Sequence, residues 1–318
     1  MIVGRFAPSP SGRMHLGNIF TALLVWLDVR QVGGRLILRV EDLDRQRCSD
    51  DKARQLLADL QWLGLDWDEG GLQPAYCQSR RTEYYQAAFA RLQAAGLVYP
   101  CFCSRAERLA AAAVAAPHLG ENVQSGFCPC RALTAAEQTA KIAQAGRRQP
   151  AWRVRVPAEE VRLLDDNMGE YEENLAADCG DFIIRRSDGV FAYQLAVVVD
   201  DGEMGVNRVV RGRDLLSSAP RQIWLHKMLG YQPPDYCHVP LLLAPDGKRL
   251  AKRERSLDMG ALRGRYTAPQ LIGGLAWLAG LQPEPRPVWP QELVDNFSWA
   301  QVGNRDITVT DFIPNILL

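Results

Sequence analysis

A short apolar run, a turn of prolines, serines and glycine, and a long amphipathic segment follow one another near the start of the chain, in VGRFAPSPSGRMHLGNIFTALLVWLDVR. Residues 1–7 read as a brief buried strand. Leu16, Ile19, Phe20, Leu23, Leu24 and Leu27 then recur at helical spacing. The stretch between them is therefore a strand-to-helix turn. In an α/β protein such a turn sits at the carboxyl end of a strand, where ligands bind, and the free N–H groups of the following helix attract anions. Prolines and glycines also simply stop strands, so this stretch alone leaves both readings open.

The alternation continues. GRLILRVED, from Gly34, is near-continuously apolar, as a strand buried on both faces would be, and residues 50–63 and 80–95 have amphipathic helical spacing. Strand, helix, strand, helix implies a parallel sheet. From Cys101 the pattern changes to close-set cysteines, an alanine-rich segment and a polar stretch leading to a strand in GRRQPAWRVRVP, which reads as an insertion over about residues 98–180. Sheet character resumes in GDFIIRRSDGVFAYQLAVVVDD, where Asp188-Gly189 between alternating runs predicts a hairpin. A helix over residues 219–229, a strand over 239–243 and the basic loop APDGKRLAKRERS follow, and residues 261–318 read as a short helical region.

With 318 residues, 47% of them hydrophobic, the chain is long enough for a large core and two or three folding units. Lysine plus arginine and aspartate plus glutamate number 37 each, so no global field draws the surface toward nucleic acid or membrane. Any polyanion site must be local. No leader-like start and no apolar run long enough to span a bilayer are present, so a cytoplasmic, membrane-free protein is expected, as a monomer. Its eight cysteines are then expected as thiols or metal ligands. Cys101, Cys103, Cys128 and Cys130 form two C-x-C pairs compact enough for one tetrahedral zinc, which would staple an insertion with little core of its own. Cys48, Cys77, Cys179 and Cys237 are scattered and read as ordinary buried thiols.

HLGN, residues 15–18, and RLAKR, residues 249–253, resemble in order and context the HIGH and KMSKS signatures of class I aminoacyl-tRNA synthetases. RFAPSPSG, LRVEDLDR and VVRGRDLL, with WLGLDWDEG and QSRR between them, are similar to glutamyl-tRNA synthetases, and the resemblance covers about residues 1–260. It implies a Rossmann-type doubly wound parallel sheet with an inserted zinc-containing subdomain. It also implies ATP-dependent activation of L-glutamate, with Mg2+ accompanying ATP. By the same resemblance His15, Gly17, Asn18 and Lys252 serve ATP, with His15 and Lys252 catalytic. Asn18 stands where HIGH has its second histidine, and Arg249 and Ala251 depart from KMSKS. Arg5, Ser9, Glu41, Tyr193 and Arg211 match the glutamate-binding positions: arginine forks suit carboxylates, Glu41 the α-ammonium, and Tyr193 and Ser9 add neutral hydrogen bonds.

Full glutamyl-tRNA synthetases continue into a large anticodon-binding domain, which residues 261–318 are too few to form. The shorter plan resembles the branch that attaches glutamate to queuosine in the anticodon loop of tRNA(Asp), with activation independent of tRNA. In that branch a tyrosine and one cysteine usually stand in place of the second C-x-C pair; here the tyrosine position is Gly126, leaving Cys128 or, less naturally, His118 as the fourth ligand. A minimal synthetase charging a tRNA 3′ end and a catalytically silent tRNA-binding relative are the alternatives.

Overall fold

The N-terminal strand and helix form as β1 (Val3–Phe6) and α1 (Leu16–Arg30) in the computed structural model, which describes residues 1–104, 107, 128–145, 149–244, 246–247 and 257–309. The two lie in close contact. A Cβ on Gly4 would stand 2.3 Å from Val29 Cγ2, so only glycine lets the helix settle this near the strand.

β2 (Arg35–Leu38), α2 (Asp50–Trp62), β3 (Glu69–Gly70) and α3 (Thr82–Ala94) continue the alternation. The chain then leaves the first sheet through β4 (Val98–Cys101), α4 (Ala135–Gln144), β5 (Ala151–Val154), β6 (Glu160–Asp165), β7 (Gly169–Asn174) and β8 (Phe182–Arg185). It returns through α5 (Tyr193–Glu203), β9 (Arg208–Gly212), α6 (Ala219–Met228) and β10 (Asp235–Val239). The remainder adds β11 (Leu242–Leu243), α7 (Met259–Arg263), α8 (Ala268–Leu278), α9 (Pro290–Leu293) and β12 (Ile307–Thr308).

The central sheet is parallel throughout, in the order β10-β9-β1-β2-β3. Side chains alternate across it, as a pleated strand requires. Leu36, Leu38, Val210 and Val239 join Leu16, Leu23, Leu27, Leu56, Ile272 and Leu275 on the face covered by α1, α2 and α8. Val3, Ile37, Val209 and Tyr236 join Tyr85, Phe89, Leu195, Val198 and Trp224 on the face covered by α3, α5 and α6. Helices on both faces make the sheet doubly wound. Between α3 and α5, β4, β5 and β8 form a separate antiparallel sheet and β6 and β7 a hairpin. No helix among the described residues is long and apolar enough to cross a membrane.

Two expectations need correction. The chain does reverse at Asp188-Gly189, where Arg186 N–H donates to Val190 O, but the returning run is the helix α5 rather than a second strand. Leu195, Ala196, Val197, Val198 and Val199 are all buried, and an apolar run that continuous has no period with which to tell a strand from an enclosed helix. The strand expected over 239–243 divides at Pro240, which lacks the N–H a ladder needs; β10 ends at Val239, and β11 pairs with β12 instead.

Candidate functional site

At the carboxyl end of the central sheet lies a cavity of about 490 Å3 whose walls include Arg5, Ser9, His15, Gly17, Asn18, Glu41, Tyr193 and Arg211. They converge from four separate stretches: β1 and its turn, the start of α1, the segment after β2, and the elements from α5 to β9. Lys252, with Arg249 and Ala251, lies outside the described residues.

Arg5 and Arg211 are each only 4% exposed. Arg5 Nη1 donates to Val210 O at 3.1 Å, and its Nε stands 3.6 Å from Asp201 Oδ1. Burial, with the charges of Arg39 and Arg211 nearby, lowers the Arg5 pKa from its ordinary value, while Asp201 opposes the shift. Behind it the fully buried Arg39 donates to Asp201 Oδ1 at 2.6 Å and to Glu41 Oε1 at 3.3 Å. Burial raises the Glu41 carboxyl above its usual range, against the pull of Arg39 and Arg5. A cation arriving beside Glu41 would restore its charge, which suits a substrate ammonium.

Arg211 is held on three sides. Its Nε donates to His238 Nε2 at 3.0 Å, Nη1 to Gln222 Oε1 at 2.7 Å and Nη2 to Leu215 O at 3.1 Å, and the guanidinium carbon lies 5.0 Å over the Tyr236 ring. A guanidinium has five N–H groups, so one on each terminal nitrogen remains to meet a carboxylate as a fork.

In the part of the lining that α1 supplies, Asn18 Oδ1 accepts the His15 backbone N–H at 3.1 Å, closing the first turn of the helix. The asparagine that replaces the second histidine of HIGH therefore serves as a cap. Gly17 has a contact of its own: a Cβ there would come within 3.2 Å of His15 Cε1, so glycine leaves the imidazole its place. The same turn is fastened from below, where the buried Asp59 receives Arg13 at 2.9 Å and Arg263 at 3.0 Å, and Met259 N–H donates to Met14 O.

Away from the cavity, the sulfur atoms of Cys101, Cys103, Cys128 and Cys130 lie within 4.8 Å of one another. Closest approaches are 3.3 Å for Cys101–Cys128, 3.5 Å for Cys103–Cys130 and 3.9 Å for Cys103–Cys128. A tetrahedron with metal–sulfur bonds of about 2.3 Å has edges of about 3.8 Å, so the four thiols fit a tetracysteine metal site. Hydrogen bonding from Cys101 holds the Cys128 thiol below its ordinary pKa, the direction that suits a thiolate ligand. His118 and Gly126 lie outside the described residues.

Comparison with known proteins shows the family. Residues 1–286 match the family described as tRNA synthetases class I (E and Q), catalytic domain. The glutamyl-Q tRNA(Asp) synthetase of Symbiobacterium thermophilum is 48% identical, over 97% of this chain and 96% of its own length. That of Nitratidesulfovibrio vulgaris is 47% identical, over 99% and 98%. The chain belongs to the glutamyl-Q tRNA(Asp) synthetase family. Its fold is also that of a glutamate tRNA ligase from Elizabethkingia meningosepticum solved in complex with its amino acid, with a TM-score of 0.81 at 24% identity over 99% of this chain and 68% of that one.

Within this family frame, sequence reasoning passed over Arg39, Asp201, Gln222 and His238, which hold the cavity's charged groups from behind. Arg39 and Asp201 were visible as charges inside apolar runs, in LRVED and VVVDD, a pattern that calls for buried partners. Asp181 was also missed. It accepts from Tyr99 Oη at 2.8 Å and Arg131 Nη1 at 2.6 Å, tying the strand and the turn that carry the cysteines.

Proposed function

We propose that this chain activates L-glutamate with ATP, without needing tRNA for that step, and transfers the glutamyl group to the queuosine base in the anticodon loop of tRNA(Asp). The observation that carries the reading is the cavity whose walls bring two buried arginines and a largely enclosed carboxylate together with the first turn of α1. In activation, an oxygen of the glutamate α-carboxylate bonds to the α-phosphorus of ATP, and the bond from that phosphorus to the departing pyrophosphate breaks. Charge gathers on phosphate oxygens, so positioning and cations supply the catalysis. Arg5 and Arg211 receive substrate carboxylates, Glu41 the α-ammonium, and Tyr193 and Ser9 add neutral hydrogen bonds. His15 and the start of α1, shaped by Gly17 and Asn18, face the phosphates; Lys252 is assigned to the pyrophosphate end by its motif. In transfer, one hydroxyl of the queuosine cyclopentene diol attacks the activated carbonyl carbon, an ester forms and AMP departs.

For the acceptor, support comes from relatives named glutamyl-Q tRNA(Asp) synthetases that match nearly the full length of this chain. The reading carries Mg2+ with ATP, zinc on the four cysteines as a structural staple, a single chain as the working unit and a cytoplasmic location. It divides the protein into a catalytic body over residues 1–260, interrupted by an insertion at about 98–180, and a C-terminal region over 261–318. Glutamate-dependent exchange of pyrophosphate into ATP without tRNA tests activation. Labelled glutamate recovered on an anticodon-loop fragment, only when queuosine is present, tests transfer. Label lost with the 3′ adenosine would assign the chain to 3′-end charging instead.

A further inference from the structure

The Arg211 side chain depends on a residue from outside the central sheet. Asp165 ends β6, in the hairpin between the two parts of that sheet, and its carboxylate is fully enclosed. Asp165 Oδ1 accepts the backbone N–H groups of Asn167 at 3.1 Å, Met168 at 2.9 Å and His238 at 3.0 Å. Asp165 Oδ2 lies 2.5 Å from His238 Nδ1, and His238 Nε2 lies 3.0 Å from Arg211 Nε. The guanidinium Nε carries a hydrogen and no lone pair, so His238 Nε2 must be the acceptor. The imidazole is then neutral with its proton on Nδ1, directed at Asp165. Burial favours that neutral form by holding His238 below its ordinary pKa, against the pull of Asp165. Tyr236 stacks on the His238 ring at 5.9 Å and 11° and keeps it in plane.

We infer that Asp165 and His238 are positioning residues for substrate recognition: Asp165 fixes the His238 tautomer, and His238 fixes the Arg211 fork that receives a glutamate carboxylate. The inference rests on the proposed role of Arg211 in glutamate binding. It assigns the hairpin a share in amino-acid selection, since its turn is also latched to the β10 edge by Asp166 N–H to Tyr236 O and Asn167 Nδ2 to His238 O.

Asp165→Asn is the discriminating substitution. The backbone N–H groups of Asn167 and Met168 bond Oδ1 alone and keep an oxygen at that position, while that of His238 is shared with Oδ2, so the new amide N–H faces His238 Nδ1 and drives the ring proton to Nε2, against Arg211. In glutamate-dependent pyrophosphate exchange, Asp165→Asn and His238→Leu should each raise the KM for glutamate about tenfold, the scale of a buried donor left without its acceptor, with the KM for ATP within about twofold. His238→Gln, whose amide oxygen can still accept from Arg211, should stay within about threefold of the parent. A glutamate KM that is unchanged in Asp165→Asn, that rises in parallel with the ATP KM, or that is the same in His238→Gln and His238→Leu overturns the inference. Should His238→Leu fail to fold, Asp165→Asn and His238→Gln decide between the same outcomes. Absence of glutamate-dependent exchange in the unaltered protein would instead remove the functional reading on which the inference stands.

Discussion

Arg39 and Asp201 meet at 2.6 Å with Arg39 wholly enclosed and Asp201 nearly so, and their pairing underlies the cavity that Arg5 and Glu41 line. Burial alone would raise the Asp201 carboxyl; Arg39 and Arg5 outweigh it and hold the carboxyl below its ordinary value. Removing Arg39 leaves the buried Asp201 with only the more distant Arg5, 3.6 Å away, and breaking a buried pair in this way costs up to about 3–5 kcal/mol. Arg39→Met should therefore lower the unfolding temperature by several degrees and loosen Arg5 with it. Thermal unfolding monitored by circular dichroism checks the first effect. An unfolding temperature within a degree of the parent would show that Arg39 does not carry this weight.

Metal content is the second prediction. Freshly purified protein should carry about one zinc per chain, and Cys103→Ser or Cys130→Ser should release it and loosen the segment between β4 and β5. Cys128→Ser bears directly on the fourth ligand. The sulfur of Cys128 lies 3.3 Å from that of Cys101, and its replacement should cost metal as severely as the others. Full zinc occupancy in Cys128→Ser, measured by elemental analysis, would assign the fourth position elsewhere.

The parallel sheet was legible because its strands and helices alternate in the sequence with distinct periods, and the strand-to-helix turn read from the sequence lines the cavity. The walls of the cavity were legible only through motifs: Arg5, Glu41 and Arg211 are far apart in the chain, and nothing in their local sequence says that β1, the segment after β2 and β9 end side by side. Helix α5 was misread because burial on all sides erases periodicity. The Asp165–His238–Arg211 chain was illegible for a different reason. It links residues from three strands through side-chain contacts that exist only once the hairpin folds back over the edge of β10.

Acid stability provides a third prediction. His226 is 1% exposed, and neither ring nitrogen has a hydrogen-bond partner among the described residues. Burial pushes its pKa down to about 4, with Asp201 opposing. The unfolded chain, with an imidazole near its ordinary value of about 6.5, then binds a proton that the folded chain refuses at intermediate pH. Stability falls as pH drops below about 6.5 and stops falling on this account near pH 4, a loss of about 2 kcal/mol between pH 7 and pH 5. His226→Leu should remove that part of the pH dependence. Parallel slopes of unfolding temperature against pH in the two proteins would contradict it.

The last prediction separates the capping role of Asn18 from its place in the proposed ATP site. Asn18 Oδ1 accepts the His15 backbone N–H, so Asn18→Asp keeps an acceptor at the same position and should leave the start of α1 intact. An aspartate near the N-terminus of a helix is ordinarily favourable, because it faces the positive end of the helix dipole. Unfolding temperature should therefore stay level or rise slightly. At the mouth of α1, however, the new charge would stand where the phosphates of ATP are proposed to lie, and two negative groups would compete for the same N–H donors. The KM for ATP in pyrophosphate exchange should rise about tenfold or more, and the KM for glutamate, which is proposed to bind at Arg5 and Arg211, should change little. Asn18→Ala provides the complement: it loses the hydrogen bond to the His15 N–H, at about 1 kcal/mol of stability, without adding charge, and should disturb ATP use less than Asn18→Asp does. If the two variants impair ATP use equally, the cap matters more than the charge, and the phosphates lie farther from Asn18 than proposed.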